Sequence, residues 1–81
     1  MNRETVFERL NMIFRNNFDD DDIILGEATS SVDIEDWDSL EQINLVVAIQ
    51  EDFNIKFNID EVNAMKNVGE MVDFILEKTG V

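Results

Sequence analysis

The chain contains no cysteine, no histidine, no proline and no tyrosine, and only six of its residues are basic. Without cysteine there is no structural disulfide. Without cysteine or histidine, zinc sites of the Cys/His type are excluded, and neither a Cys–His nor a Ser–His nucleophile pair can be assembled. Six scattered lysines and arginines do not make the cationic patch that nucleic acid or an anionic membrane surface requires. No apolar run is long enough to span a bilayer, and the N-terminus has no signal or transit pattern. The chain therefore reads as cytoplasmic and, on its own, non-catalytic. Its carboxylates lie mostly in exposed runs, and no acid–base pair can be picked out among them.

Acid dominates what is present. Nineteen Asp and Glu give a formal charge of −13. The natural complement is a basic patch on another protein, with charge speeding encounter and making it salt-sensitive. The same charge aids solubility but repels itself, which lowers stability at low ionic strength. At 44% hydrophobic the chain is too apolar for an acidic disordered tail. Its 81 residues have room for a single core, so residues 1–81 are expected to form one small, soft, monomeric domain.

Hydrophobic periodicity predicts three main helices and a short one, an all-α bundle without strands. The first runs from Arg3 to Asn16, with Val6, Phe7, Leu10, Ile13 and Phe14 as its stripe and Asn16-Asn17 as its stop. From Asn17 to Trp37 no period holds. This stretch reads as a loop tethered by Ile23, Ile24, Leu25, Val32 and Ile34. The second helix starts at Asp38 or Ser39 and continues to Phe53, with Asp38 and Glu41 spaced as a capping box. Leu40, Ile43, Val46, Val47, Ile49 and Phe53 supply its apolar face, while Leu45 and Ala48 fall among the carboxylates. Ile55 and Phe57 plug inward from a connector. A short helix over Ile59–Met65 follows, and the last runs from after Asn67 to Lys78, ended by Gly80. The methionines Met12, Met65 and Met71 read as core filling or as adaptable wall residues.

The most informative segment is Asp36-Trp-Asp-Ser-Leu-Glu-Gln-Ile43, where the loop gives way to helix. There Ser39 sits at a helix N-terminus, whose amides and dipole favour an attached phosphate. Asp-Ser at such a place is also a common cap and nothing more. Its setting tips the balance. A long acidic loop precedes it, an acidic helix follows, and the chain has no other reactive group.

With the order of the helices and the downstream pattern Leu40…Ile43…Val47…Ile49…Phe53, Asp38-Ser39-Leu40 resembles the acyl carrier protein family over essentially the whole chain. The resemblance implies that Ser39 carries 4′-phosphopantetheine, transferred from coenzyme A by a separate phosphopantetheinyl transferase. That arm's thiol would hold an acyl or related carboxylate group as a thioester for the acyl-loading and acyl-processing enzymes of a biosynthetic pathway. Asp38 and Leu40 would flank the arm, Asp38 either capping the helix or helping to hold the transferase's metal ion. Glu41, Glu51, Asp52, Asp60 and Glu61 would be read by basic patches on these partners, with Leu45, Val47 and Ala48 as the apolar centre of the contact.

Three residues depart from the pattern of the fatty-acid-synthesis carriers. Trp37 stands where they have a small residue, and Asn44 and Gln50 stand where they have carboxylates. A discrete carrier for a specialised pathway (polyketide, modified-sugar or aminoacyl chemistry) fits better. Trp37 either packs over the attachment point or covers the loop–helix junction. The Asp19–Asp22 run fails the EF-hand template, lacking its glycine and its alternating ligands, and reads as a solvated charge run. No metal site is expected. The rival from another class is an acidic helical adaptor that binds a basic protein surface, with Ser39 only a cap.

Overall fold

The computed structural model describes residues 2–79. Four helices follow in order: α1 Arg3–Phe18, α2 Ser39–Phe53, α3 Ile59–Ala64 and α4 Val68–Lys78. No strand occurs among the described residues. The expected all-α bundle of three main helices and a short one is the fold observed. Gly80, the expected end of the last helix, lies outside the described residues.

Each helix is started by a side chain that accepts from a first-turn amide. Asn2 accepts from Thr5 N–H, Asp38 from Glu41, Asn58 from Glu61 and Asn67 from Glu70. Only at α3 does the third residue return the bond, Glu61 Oε1 accepting from Asn58 N–H at 2.9 Å. The capping box expected of Asp38 and Glu41 is thus half made. The Glu41 carboxylate accepts instead from the side-chain amides of Asn17 and Asn44.

Helix α1 runs two residues beyond its expected stop. Phe18 stays helical because its ring packs at 6.1 Å from that of Phe14, and the chain turns at Asp19 (φ 51°). Aspartate tolerates this left-handed conformation almost as asparagine does. Asn54 (φ 56°) ends α2 in the same way. Helix α3 stops one residue early, at Ala64, since Met65 is already extended.

One core joins Val6, Leu10 and Phe14 of α1, Leu45, Ile49 and Phe53 of α2, and Val68, Met71, Val72 and Ile75 of α4. Ile55 and Phe57 pack against it, as expected of plugs. Met65 and Met71 also face inward, whereas Met12 is exposed and fills nothing.

The long loop is held in place without regular structure. Ile23 and Leu25 are buried and Ile34 packs on the core, but Ile24 and Val32 point into solvent. Burial alternates along 23–25, so only two of those three residues anchor the loop. Polar ties add to the hydrophobic ones. Leu25 N–H donates to Asn11 Oδ1 at 2.8 Å, and Arg15 Nε donates to the Ile23 carbonyl at 2.8 Å. Farther along, Val68 and Gly69 N–H donate to the carbonyls of Thr29 and Glu27 at 2.8 and 2.9 Å. The loop thus supplies acceptors for two first-turn amides of α4 that the helix itself leaves orphaned.

Candidate functional site

The loop ends in a turn, with Trp37 N–H donating to the Ile34 carbonyl at 3.1 Å. The Trp37 ring lies edge-on to Phe14, centroids 5.1 Å apart, and its Nε1–H donates to Gln42 Oε1 at 2.7 Å. Trp37 therefore covers the junction between loop and helix. Asp38 then takes the N-cap conformation, and its Oδ1 accepts from Glu41 N–H at 2.9 Å. This decides where α2 begins: Asp38 is the cap and Ser39 is the first helical residue. Capping accounts for Asp38 directly beside the hydroxyl.

The Ser39 hydroxyl is exposed, and it stands at the positive end of a 15-residue helix. It opens onto a cleft of about 430 Å³ between the start of α2 and the chain from α3 to α4. Ile43, Ile59, Val62 and Met65 give that cleft apolar walls, while Gln42, Asn63 and Lys66 give it polar ones. An anion attached at Ser39 would meet first-turn amides and a lysine, and a chain attached to it would meet a trough of mixed polarity. These residues fit a phosphate-linked arm.

Packing reverses the expected roles around α2. Leu45 is fully buried in the core, so it cannot be the apolar centre of a docking contact. Leu40, Ile43 and Val47, all placed on the apolar face and Val47 also in the docking centre, are 65%, 57% and 46% exposed and form an outward stripe running from Ser39, which suits only the second role of Val47. Ala48 is half-buried. Of the five candidate docking carboxylates, Glu51 and Asp60 are exposed and have no basic partner among the described residues. The others are engaged within the chain. Glu41 holds two asparagines, Asp52 pairs with Arg9 at 2.9 Å, and Glu61 pairs with Lys78 at 2.8 Å. Hydrogen bonds from Lys78 and from the Asn58 amide hold the Glu61 carboxyl below the usual carboxylate range. Ile59, 71% exposed beside the cleft, belongs to the apolar surface and was missed. Its place at the head of a short helix gave no periodicity by which to find it.

The model of the phosphopantetheine attachment site family matches residues 17–75, most of the chain. The chain belongs to the acyl carrier protein family. Its similarity to individual members runs nearly end to end. The acyl carrier protein of Caulobacter vibrioides is 35% identical over 74 residues, 91% of this chain and 95% of that one. That of Picosynechococcus is 37% identical over 81 residues, 99% and 98% of the two chains. The solution structure of the holo acyl carrier protein from Geobacter metallireducens superposes with a TM-score of 0.84 at 43% identity, covering 89% of this chain and 83% of that one.

As an acyl carrier protein the chain is a carrier and not an enzyme, and its prosthetic group is 4′-phosphopantetheine. When bound, that group supplies the thiol this sequence lacks, on which an acyl group is held as a thioester. A carrier of this family works with a phosphopantetheinyl transferase and with acyl-processing enzymes. The adaptor reading, which had no place for a prosthetic group, is thereby displaced. No helix among the described residues is long and apolar enough to cross a membrane.

Proposed function

We propose that Ser39 is the residue that carries 4′-phosphopantetheine, and that the chain is a discrete carrier serving a specialised pathway. One observation carries the assignment. The Ser39 hydroxyl is exposed at the head of α2 and has no part in the capping that Asp38 performs. The other hydroxyls of the region are worse placed. Ser30 and Ser31 lie in a turn closed by Asp33 N–H donating to the Ser30 carbonyl at 2.9 Å, with no helix dipole behind them.

Partner enzymes approach along the stripe Leu40, Ile43 and Val47, extended by Ile59 and flanked by Glu51 and Asp60. An apolar centre rimmed by unpaired carboxylates suits a partner with a basic patch around an apolar one. The departures at Trp37 and Gln50 support a specialised rather than a general clientele. Trp37 closes the junction next to the attachment point, and Gln50 Oε1 accepts from Phe57 N–H at 2.8 Å. Residue 50 thus braces the connector, where a carboxylate would add to the docking charge. In this reading residues 1–81 are one carrier domain, monomeric and cytoplasmic.

The test is intact mass after incubation of the apo protein with coenzyme A and a broad-specificity phosphopantetheinyl transferase. One added phosphopantetheine is expected on the parent protein and none on Ser39→Ala. An addition that survives in Ser39→Ala would overturn the assignment.

A further inference from the structure

Four of the six basic side chains are engaged within the fold. Arg3 bonds Glu27 and Asp73, Arg9 bonds Asp52, Lys78 bonds Glu61, and Arg15 donates to the Ile23 carbonyl. Lys56 and Lys66 have no such partner among the described residues, and only Lys66 borders the cleft that contains Ser39. In a chain of formal charge −13, an unpaired cation at that place is not accounted for by ion pairing within the fold. Its backbone is firmly held. Lys66 N–H donates to Glu70 Oε2 at 2.7 Å, and the next residue, Asn67, caps α4. Across the cleft, Trp37 Nε1–H can only donate, which fixes Oε1 of Gln42 as the accepting end and turns its –NH2 group away from the indole. Both walls therefore offer donors.

We propose that Lys66 seats the arm on Ser39 in this cleft by pairing with an anionic oxygen group of that arm. The group is either the phosphodiester beside the serine or a carboxylate at the far end of a folded-back cargo. Lys66 is a positioning residue: it biases the arm toward lying in the cleft. An exposed ion pair shifts such an equilibrium by a factor of about two to five, and added salt weakens it. The inference rests on the assignment of Ser39 as the attachment residue.

The experiment uses holo protein made with coenzyme A and a transferase, and the same protein carrying acetyl or succinyl cargo. Parent, Lys66→Ala, Lys66→Arg and the control Lys56→Ala are compared, with far-UV circular dichroism confirming the fold of each. The readouts are the 31P shift and linewidth of the phosphodiester and the apo-to-holo shift of the Trp37 indole N–H. Losing the apo-to-holo indole shift in Lys66→Ala, retaining it in Lys66→Arg and Lys56→Ala, and weakening it with salt in the parent would support the seat. That pattern in unloaded holo protein identifies the phosphodiester as the partner. Its presence with succinyl cargo alone identifies the cargo carboxylate. Insensitivity to Lys66 in every form, on protein whose mass shows the arm on Ser39, would overturn the seat and leave the Ser39 assignment standing. Failure to load Ser39 at all would sink both.

Discussion

Trp37 and Gln42 are joined by a 2.7 Å hydrogen bond across the start of α2, while the Trp37 ring packs edge-on against Phe14 of α1. One side chain thereby ties the loop's end to both long helices. Trp37→Phe keeps most of the ring contact but strips Gln42 Oε1 of its donor, and should cost about 1 kcal/mol. Trp37→Ala removes the ring as well and should cost about 3 kcal/mol. Because Trp37 is the only tryptophan, urea unfolding must be followed by far-UV circular dichroism.

Gly69 and Gly26 should respond differently to alanine. A Cβ at Gly69 would lie 2.7 Å from the Glu27 carbonyl oxygen, part of the loop that supplies acceptors to α4. The loop would have to move off the helix, so Gly69→Ala should destabilise by about 1–3 kcal/mol. A Cβ at Gly26 meets only Thr29 Oγ1, at an ordinary 3.6 Å, and the change should stay within about 0.5 kcal/mol. Thermal melts of the two variants would separate them, and equal melting temperatures would contradict the loop's docking.

Capping and the proposed attachment fall on adjacent residues, so mutation can part them. Asp38→Ala removes the acceptor for Glu41 N–H and should cost about 1 kcal/mol of stability. Ser39→Ala changes an exposed first-turn residue and should alter stability by less than about 0.5 kcal/mol. Urea midpoints measured side by side would show whether the hydroxyl has a structural duty after all.

Acid should act in two opposed stages. Lowering the net negative charge relieves the repulsion of a −13 chain, so stability should hold or rise as pH falls from 7 toward 5. Glu27 and Glu61 behave otherwise. Hydrogen bonds from Arg3 and Lys78 hold their pKa values below the ordinary 4.5 in the folded state. Their contribution is fully present above 4.5 and is lost as pH falls through the lowered folded values, so stability should drop on that side. Arg3→Met should flatten the acid limb. Raising salt at pH 7 should raise the melting temperature of the parent protein by screening the net charge.

The helices of this fold were legible where one face is apolar and the other is not. The stripes of α1 and α4 were read correctly because Val6, Leu10 and Phe14, or Val68, Met71, Val72 and Ile75, recur at helical spacing among polar neighbours. Helix α2 carries apolar residues on more than one face. Periodicity could not say which side was the interior: Leu45, expected at the docking surface, is buried, and Leu40 and Ile43, expected inside, are exposed. That ambiguity has a physical source, since a helix that buries one apolar face and exposes another carries two stripes. Ser39, Asp38 and the cap were legible because a helix start is written in consecutive residues. The cleft was not, because Trp37, Gln42, Ile59 and Lys66 converge only when α3 folds back beside α2. Nor could sequence distinguish the free carboxylates from the engaged ones, as each partner of Asp52 and Glu61 comes from a different helix.

The most direct test of the central claim is fragmentation of the transferase-modified peptide between Arg15 and Lys56, which contains Ser30, Ser31 and Ser39. The account predicts that phosphopantetheine is found on Ser39 alone. Its appearance on Ser30 or Ser31, or a folded apo protein that several transferases leave unmodified, would contradict it.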